Sequence, residues 1–175
     1  MKKLLIVVDF QNDFVNGALG FAGAENLDEI IAEKIKQYRK NKWDVAFTLD
    51  THSEDYLSTQ EGKNLPVKHC IKGTFGHELY GKCAESVLNT DRLFYKPGFG
   101  SSELLEYLKN SEYEEVELAG LVSNICILSN AVIAKTALPE ALITVDAKAT
   151  DSFNKDLNEK ALDIMEGIQI KVINR

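Results

Sequence analysis

Leu4-Leu5-Ile6-Val7-Val8-Asp9 sets five consecutive apolar residues before a carboxylate. A strand with one wet face alternates apolar and polar side chains, so an unbroken run points to a strand covered on both faces, as in a parallel sheet. Parallel strands need crossover connections, usually helices, and the rest of the chain supplies them. Residues 26–40 carry Leu27, Ile30, Ile31, Ile35 and Tyr38 at helical spacing, with Lys and Arg crowding the far end. Residues 43–49 read as a second strand, 92–95 as a short third, 101–109 as a helix and 115–121 as a fourth strand. A helix over 124–137, a strand over 142–145, a helix over about 154–166 and a strand over 168–173 complete the pattern. Residues 51–75 fit neither period and form one long irregular connection, which in a compact domain is usually functional. His77 starts a further helix at 76–79 and takes no role. The expected fold class is α/β, a three-layer sandwich with a mostly parallel central β-sheet and helices on both faces, filling residues 1–175 as one domain.

Composition narrows the function classes. The net charge of −7 argues against nucleic-acid binding, which needs a basic surface to displace counterions. No apolar stretch reaches the length of a membrane span, so no membrane partner is expected. Met1-Lys2-Lys3 followed by the apolar run resembles an export signal for a moment, but the run stops at Asp9 without a small-residue cleavage site. Cys70, Cys83 and Cys126 make an odd number with no metal-type spacing, which suits a reducing cytoplasm better than a disulfide scaffold.

In open α/β sheets, ligands bind outside the carboxyl ends of the strands. Asp9 ends the first strand, Asp50 and His52 the second, Lys96 the third, and Cys126 lies just past the fourth in Gly120-Leu121-Val122-Ser123-Asn124-Ile125-Cys126. Each has a structural reading: Asp caps turns, Lys is solvated, and a lone Cys at a helix start is a small buried hydrophobe. Together on one rim they supply a nucleophile, a carboxylate able to shuttle its proton, and a cation to hold both charges. A position in the first helical turn is expected to favour the Cys126 thiolate.

A second cluster is Asp50-Thr51-His52, followed in the long loop by Glu61 and His69. Alternate residues of an extended segment share a face, so Asp50 and His52 can converge on one ion. Two imidazoles and a carboxylate suit a divalent transition metal, Zn, Fe, Mn or Co, with Glu61 as a further ligand. Against this stand a hydrogen-bonded loop histidine at 69 and a solvated charge at 61.

The ordered set formed by Leu5-Ile6-Val7-Val8-Asp9-Phe10-Gln11-Asn12-Asp13-Phe14, Thr48-Leu49-Asp50-Thr51-His52, His69-Cys70-Ile71-Lys72-Gly73-Thr74, Tyr95-Lys96-Pro97-Gly98-Phe99 and the 120–126 corner resembles the isochorismatase-like cysteine hydrolases, and within them the nicotinamidases. The resemblance runs nearly end to end. It implies an amidase in which Asp9, Lys96 and Cys126 are catalytic, the backbone N–H groups of Val122 and Cys126 hold the oxyanion, and Leu121-Val122 is a cis peptide. It also implies a metal held by Asp50, His52 and His69, with Glu61 as a fourth ligand, that orients a pyridine ring. The implied partner is a small-molecule amide, most simply nicotinamide cleaved to nicotinate and ammonia in NAD salvage, and the implied assembly is a homo-oligomer. Two departures open other substrates, such as ureido or carbamoyl acids, and a silent binding member is a further alternative. Ser123-Asn124 replaces a common Thr-Asp, and Asn64-Leu65-Pro66-Val67-Lys68 lacks the aromatic that often precedes His69. Ring contact then falls to Phe14 and Phe99, and Lys68 stands ready to meet an anion.

Overall fold

The computed structural model describes residues 2–175. Six strands, β1 (Lys3–Val8), β2 (Asp44–Asp50), β3 (Arg92–Lys96), β4 (Glu115–Leu121), β5 (Leu142–Asp151) and β6 (Lys171–Ile173), form one sheet. Its order is β3-β2-β1-β4-β5-β6 and every pairing is parallel. The α-helices are α1 (Asn12–Val15), α2 (Leu27–Lys40), α3 (Gln60–Asn64), α4 (Gly81–Glu85), α5 (Ser102–Lys109), α6 (Leu128–Ala137) and α7 (Lys155–Gly167).

β1 lies at the centre, and its unbroken apolar run is explained by two cores. Leu4, Ile6 and Val8 pack with residues of α5, α6 and α7, while Leu5 and Val7 pack with Leu27, Ile31, Ile35 and Tyr38 of α2. Each such buried side chain stabilises the fold by about 1.5–3 kcal/mol. Helix ends are set by local chemistry. Ser101 caps α5 through its hydroxyl at 3.1 Å from the Leu104 amide, and Asn154 caps α7 at 3.1 Å from the Leu157 amide. Asp28 and Glu29 open α2, and Arg39 and Lys40 close it, matching the helix dipole. No helix among the described residues is long and apolar enough to cross a membrane.

Five expectations are corrected. β5 is not a four-residue strand but runs from Leu142 to Asp151. Its second half carries Asp146, Lys148, Thr150 and Asp151, whose polarity masks a strand that pairs with β4 across a register shift between Leu118 and Gly120. β6 begins only at Lys171, because Ile168 still caps α7 and Gln169 takes a left-handed φ of 66°. The irregular connection extends through residue 91, and His77 ends a 3-10 turn (Phe75–His77) rather than starting a helix. The helix expected over 124–137 opens as a π-turn, Ser123–Ile127, before α6.

The strand order reverses between β1 and β4, where the chain winds outward in both directions and leaves a crevice at the strand ends. Gly120 makes that junction close. Its φ is +125°, and a Cβ there would meet the Val8 carbonyl oxygen at 2.0 Å, so only glycine fits.

Candidate active site

Because β3, β2, β1 and β4 are neighbours, their carboxyl ends deliver Lys96, Asp50, Asp9 and Cys126 to one rim, with Asp50 and Lys96 in direct register. Asp9 turns out of β1 with a left-handed φ of 47°. The Thr48 hydroxyl donates to Asp9 Oδ1 at 2.6 Å, leaving Oδ2 to the Lys96 ammonium at 2.6 Å. Lys96 Nζ also lies 3.5 Å from Cys126 Sγ, 3.5 Å from Asp50 Oδ1, and 2.9 Å from the Gly98 carbonyl to which it donates. Cys126 sits in the π-turn that follows β4. The amides of Ile125 and Ile127 both donate to the Val122 carbonyl, each at 3.2 Å. Asn130 donates to the Cys126 and Phe99 carbonyls at 2.8 and 3.0 Å, and so ties the turn to the loop after β3. The peptide between Leu121 and Val122 is cis.

The electrostatics of this corner are those of ionisable groups taken out of water. Asp9 is fully buried, and that burial raises its carboxyl above the ordinary value despite Lys96 beside it. Burial would lower Lys96, but Asp9, Cys126 and Asp50 outweigh it and hold the ammonium charged. Burial, and then the Asp9 charge, push the Cys126 thiol well above its usual value. The pull toward thiolate expected of a first helical turn is outweighed here by burial and the Asp9 charge. A helix-start amide lowers a thiol that water can reach, whereas Cys126 is 5% exposed and faces a carboxylate. Burial keeps the thiol protonated at rest, and Asp9 and Lys96 are its charged neighbours.

The second cluster forms where the loop after β2 folds back. His52 pairs with Ile71 in a short parallel bridge, its amide 3.0 Å from the Cys70 carbonyl, and this brings His69 alongside. Asp50 Oδ2 lies 3.0 Å from His52 Nε2 and 3.2 Å from His69 Nε2, and Glu61 Oε1 lies 3.8 and 3.7 Å from the same nitrogens. One donor atom from each of the four residues falls within 4.8 Å of all the others. His69 Nδ1 bonds the Val67 carbonyl at 2.8 Å, so its Nε2 is the atom turned inward. Two imidazoles, a carboxylate that the histidines hold below its ordinary value against burial, and a second carboxylate from α3 fit a divalent transition metal. These four residues form a candidate metal site.

A chamber of about 390 Å³ joins the two clusters, with Cys126 and Val122 at one end and Asp50, His69 and Glu61 at the other. Phe14 and Phe99 line it, as expected. The expected role of Lys68 does not hold, because its ammonium pairs with Glu54 at 2.9 Å and it lines neither this chamber nor the groove beside it. Asn124 lines neither as well. Several residues at the site had no sequence signal. Tyr56 packs its ring against both candidate metal-site histidines, 4.6 Å from His52 and 4.9 Å from His69 between ring centroids. Gln11, fully buried, brackets Asp50 by accepting from its amide at 2.8 Å and donating to its carbonyl at 2.9 Å. Phe153 lines the chamber from just beyond β5.

The chain resembles known proteins over nearly its whole length. The sequence profile of the Isochorismatase domain matches residues 3–175. An uncharacterised isochorismatase family protein of Bacillus subtilis is 33% identical over 175 residues, covering 93% of each chain. A crystal structure of a nicotinamidase/pyrazinamidase from Bacillus subtilis is 30% identical, covers 98% of this chain and 99% of its own, and superposes with a TM-score of 0.87. A pyrazinamidase of Pyrococcus horikoshii, solved in complex with zinc, shares the fold at a TM-score of 0.87 and 22% identity, with full coverage of both chains. On the profile and the Bacillus subtilis relative together, this chain belongs to the isochorismatase family.

Proposed function

We propose that the protein is a cysteine amidohydrolase that cleaves nicotinamide to nicotinate and ammonia. The observation that carries this reading is one buried ammonium, Lys96, held 2.6 Å from Asp9 and 3.5 Å from Cys126 at the end of a chamber whose other end is a candidate metal site. Asp9 takes the thiol proton, and its raised carboxyl makes it a stronger base than an exposed aspartate. Cys126 Sγ attacks the amide carbon, and the Val122 and Cys126 N–H groups receive the oxyanion. Asp9 returns the proton to the nitrogen as the C–N bond breaks and ammonia leaves. A water molecule then gives a proton to Asp9 and its oxygen to the thioester carbon, which releases the acid and restores the thiol. Lys96 keeps its charge throughout and offsets whichever of Asp9 or Cys126 is anionic. Asp50, His52, Glu61 and His69 would hold a divalent metal, Zn, Fe, Mn or Co, whose chemistry here is Lewis-acid contact with the pyridine nitrogen.

The chamber favours a neutral amide over a carbamoyl acid. Among the described residues that line it there is no lysine or arginine, so a substrate carboxylate finds no side-chain cation to pair with in the chamber. The test is ammonia release from nicotinamide by purified, metal-loaded protein. Cys126→Ala should lower it by about 10⁴-fold or more while the fold persists, because the change removes little volume. No release under any metal would sink the reading, and activity surviving in the variant would remove Cys126 as nucleophile.

A further inference from the structure

The chamber at Cys126 opens into a larger groove of about 740 Å³ along the loop after β2. The two share a common wall of Glu61, Leu65, Phe99, Ile125 and Phe153. Three of these are large apolar side chains left in water: Phe153 is 61% exposed, Phe99 50% and Leu65 38%. Exposed aromatic side chains gathered at the mouth of a buried reaction chamber present area that a ligand can cover. The groove touches neither Cys126 nor Val122 but reaches His52 and Glu61, so it extends from the metal end of the chamber. Thr59, Gln60 and Asn64 add uncharged polar groups to its lining.

We propose that this groove is a second substrate subsite, taking an aromatic substituent on the ring of an aryl amide whose carboxamide lies at Cys126. The inference rests on the amide-hydrolase reading and deepens it: the substrate class is substituted aryl amides rather than the bare ring alone. A ring seated between the candidate metal site and Phe14 directs its outward carbons past Glu61, where Phe153 and Phe99 offer a face for stacking. Phe153 is then a specificity-determining residue, and it acts on the part of the substrate that does not react.

The test reads binding apart from turnover. Affinities for nicotinamide, and for nicotinamides carrying a phenyl group at each ring carbon in turn, are measured by calorimetry on metal-loaded Cys126→Ala protein. Ammonia release from the same panel is measured on the unmutated enzyme. At least one phenyl-bearing amide should bind about tenfold more tightly than nicotinamide, and Phe153→Ala added to the same protein should erase most of that gain. Phe153 is exposed, so its truncation leaves the core packing in place, and circular dichroism checks the fold. If every phenyl-bearing amide binds no tighter than nicotinamide, or if the gain survives Phe153→Ala, the subsite is refuted. A gain in binding without ammonia release from any amide overturns the proposed function instead and leaves the subsite standing.

Discussion

Two lysines in this molecule each sit between two carboxylates, and only one of them lies at the candidate active site. Lys96 bridges Asp9 and Asp50 at the strand ends, whereas Lys34 of α2 bridges Glu117 of β4, at 2.7 Å, and Asp146 of β5. Around Lys34 every charge is answered by ordinary partners. The Tyr38 hydroxyl donates to Glu117 at 2.8 Å and the Lys148 amide to Asp146 at 3.0 Å. With those partners, and with Lys34 and Glu117 partly open to water, Asp146 is held below the usual carboxylate value, since Lys34 outweighs burial. Asp9 ends on the opposite side of its usual value because its burial is complete. A salt bridge is thus no mark of function by itself. What separates the two is a thiol and a chamber on one side of Lys96, against packing between α2 and the sheet, partly reached by water, around Lys34.

Removing each lysine tests the contrast most severely. Lys96→Met should cut turnover by on the order of 10³-fold and destabilise the protein by about 3–5 kcal/mol, because two carboxylates remain buried without their cation. Lys34→Met should cost about 2 kcal/mol, as Glu117 keeps some solvent and Asp146 keeps the Lys148 amide, and leave ammonia release within about twofold. Denaturant melts and steady-state rates on the pair decide it; equal losses of activity would erase the distinction. A smaller effect follows from Asp50, which links Lys96 to the candidate metal site. His69→Ala should weaken metal binding by at least about 100-fold and raise the apparent KM while melting near the unmutated protein. Unchanged metal content by elemental analysis would make the Asp50 cluster a purely structural network.

The sequence was legible wherever one physical demand dominated. A strand covered on both faces must be apolar throughout, so β1 announced itself, and the strand-end rule then picked out Asp9, Asp50, Lys96 and Cys126. Legibility failed where demands were mixed. The second half of β5 places Asp146 beneath α2 and Thr150 beside β4, so its polarity hid six strand residues. The same rule that found Asp9 would have found Phe153, had the carboxyl end of β5 been placed at Asp151 instead of Val145. Tyr56 and Gln11 were invisible for a different reason. Their partners are a loop that folds back and a backbone amide, and neither leaves a period or a motif. That burial outweighs the helix-start effect at Cys126 was not legible, because proximity to a helix start is local, while burial and the Asp9 charge are tertiary.

The smallest effect concerns acid stability, and the two clusters should differ there in sign. Asp146 has a lowered value in the folded state, so the stability it gives is fully present above its unfolded pKa of about 3.9 and is lost as pH falls through the folded value. Lys34 is raised, so its contribution holds below about pH 10.4 and fades only as pH climbs through the folded value. Asp9 works the other way from Asp146. Its raised value means the folded state holds that proton more readily than the unfolded chain, so acidification through this group favours folding. Asp146→Asn should therefore lower stability at neutral pH by about 1 kcal/mol and flatten its decline between about pH 5 and pH 3. Thermal melts of both proteins across that range measure it. An acid limb of unchanged steepness in the variant would mean that the Lys34 cluster carries no proton linkage, and that its resemblance to the Lys96 cluster ends at geometry.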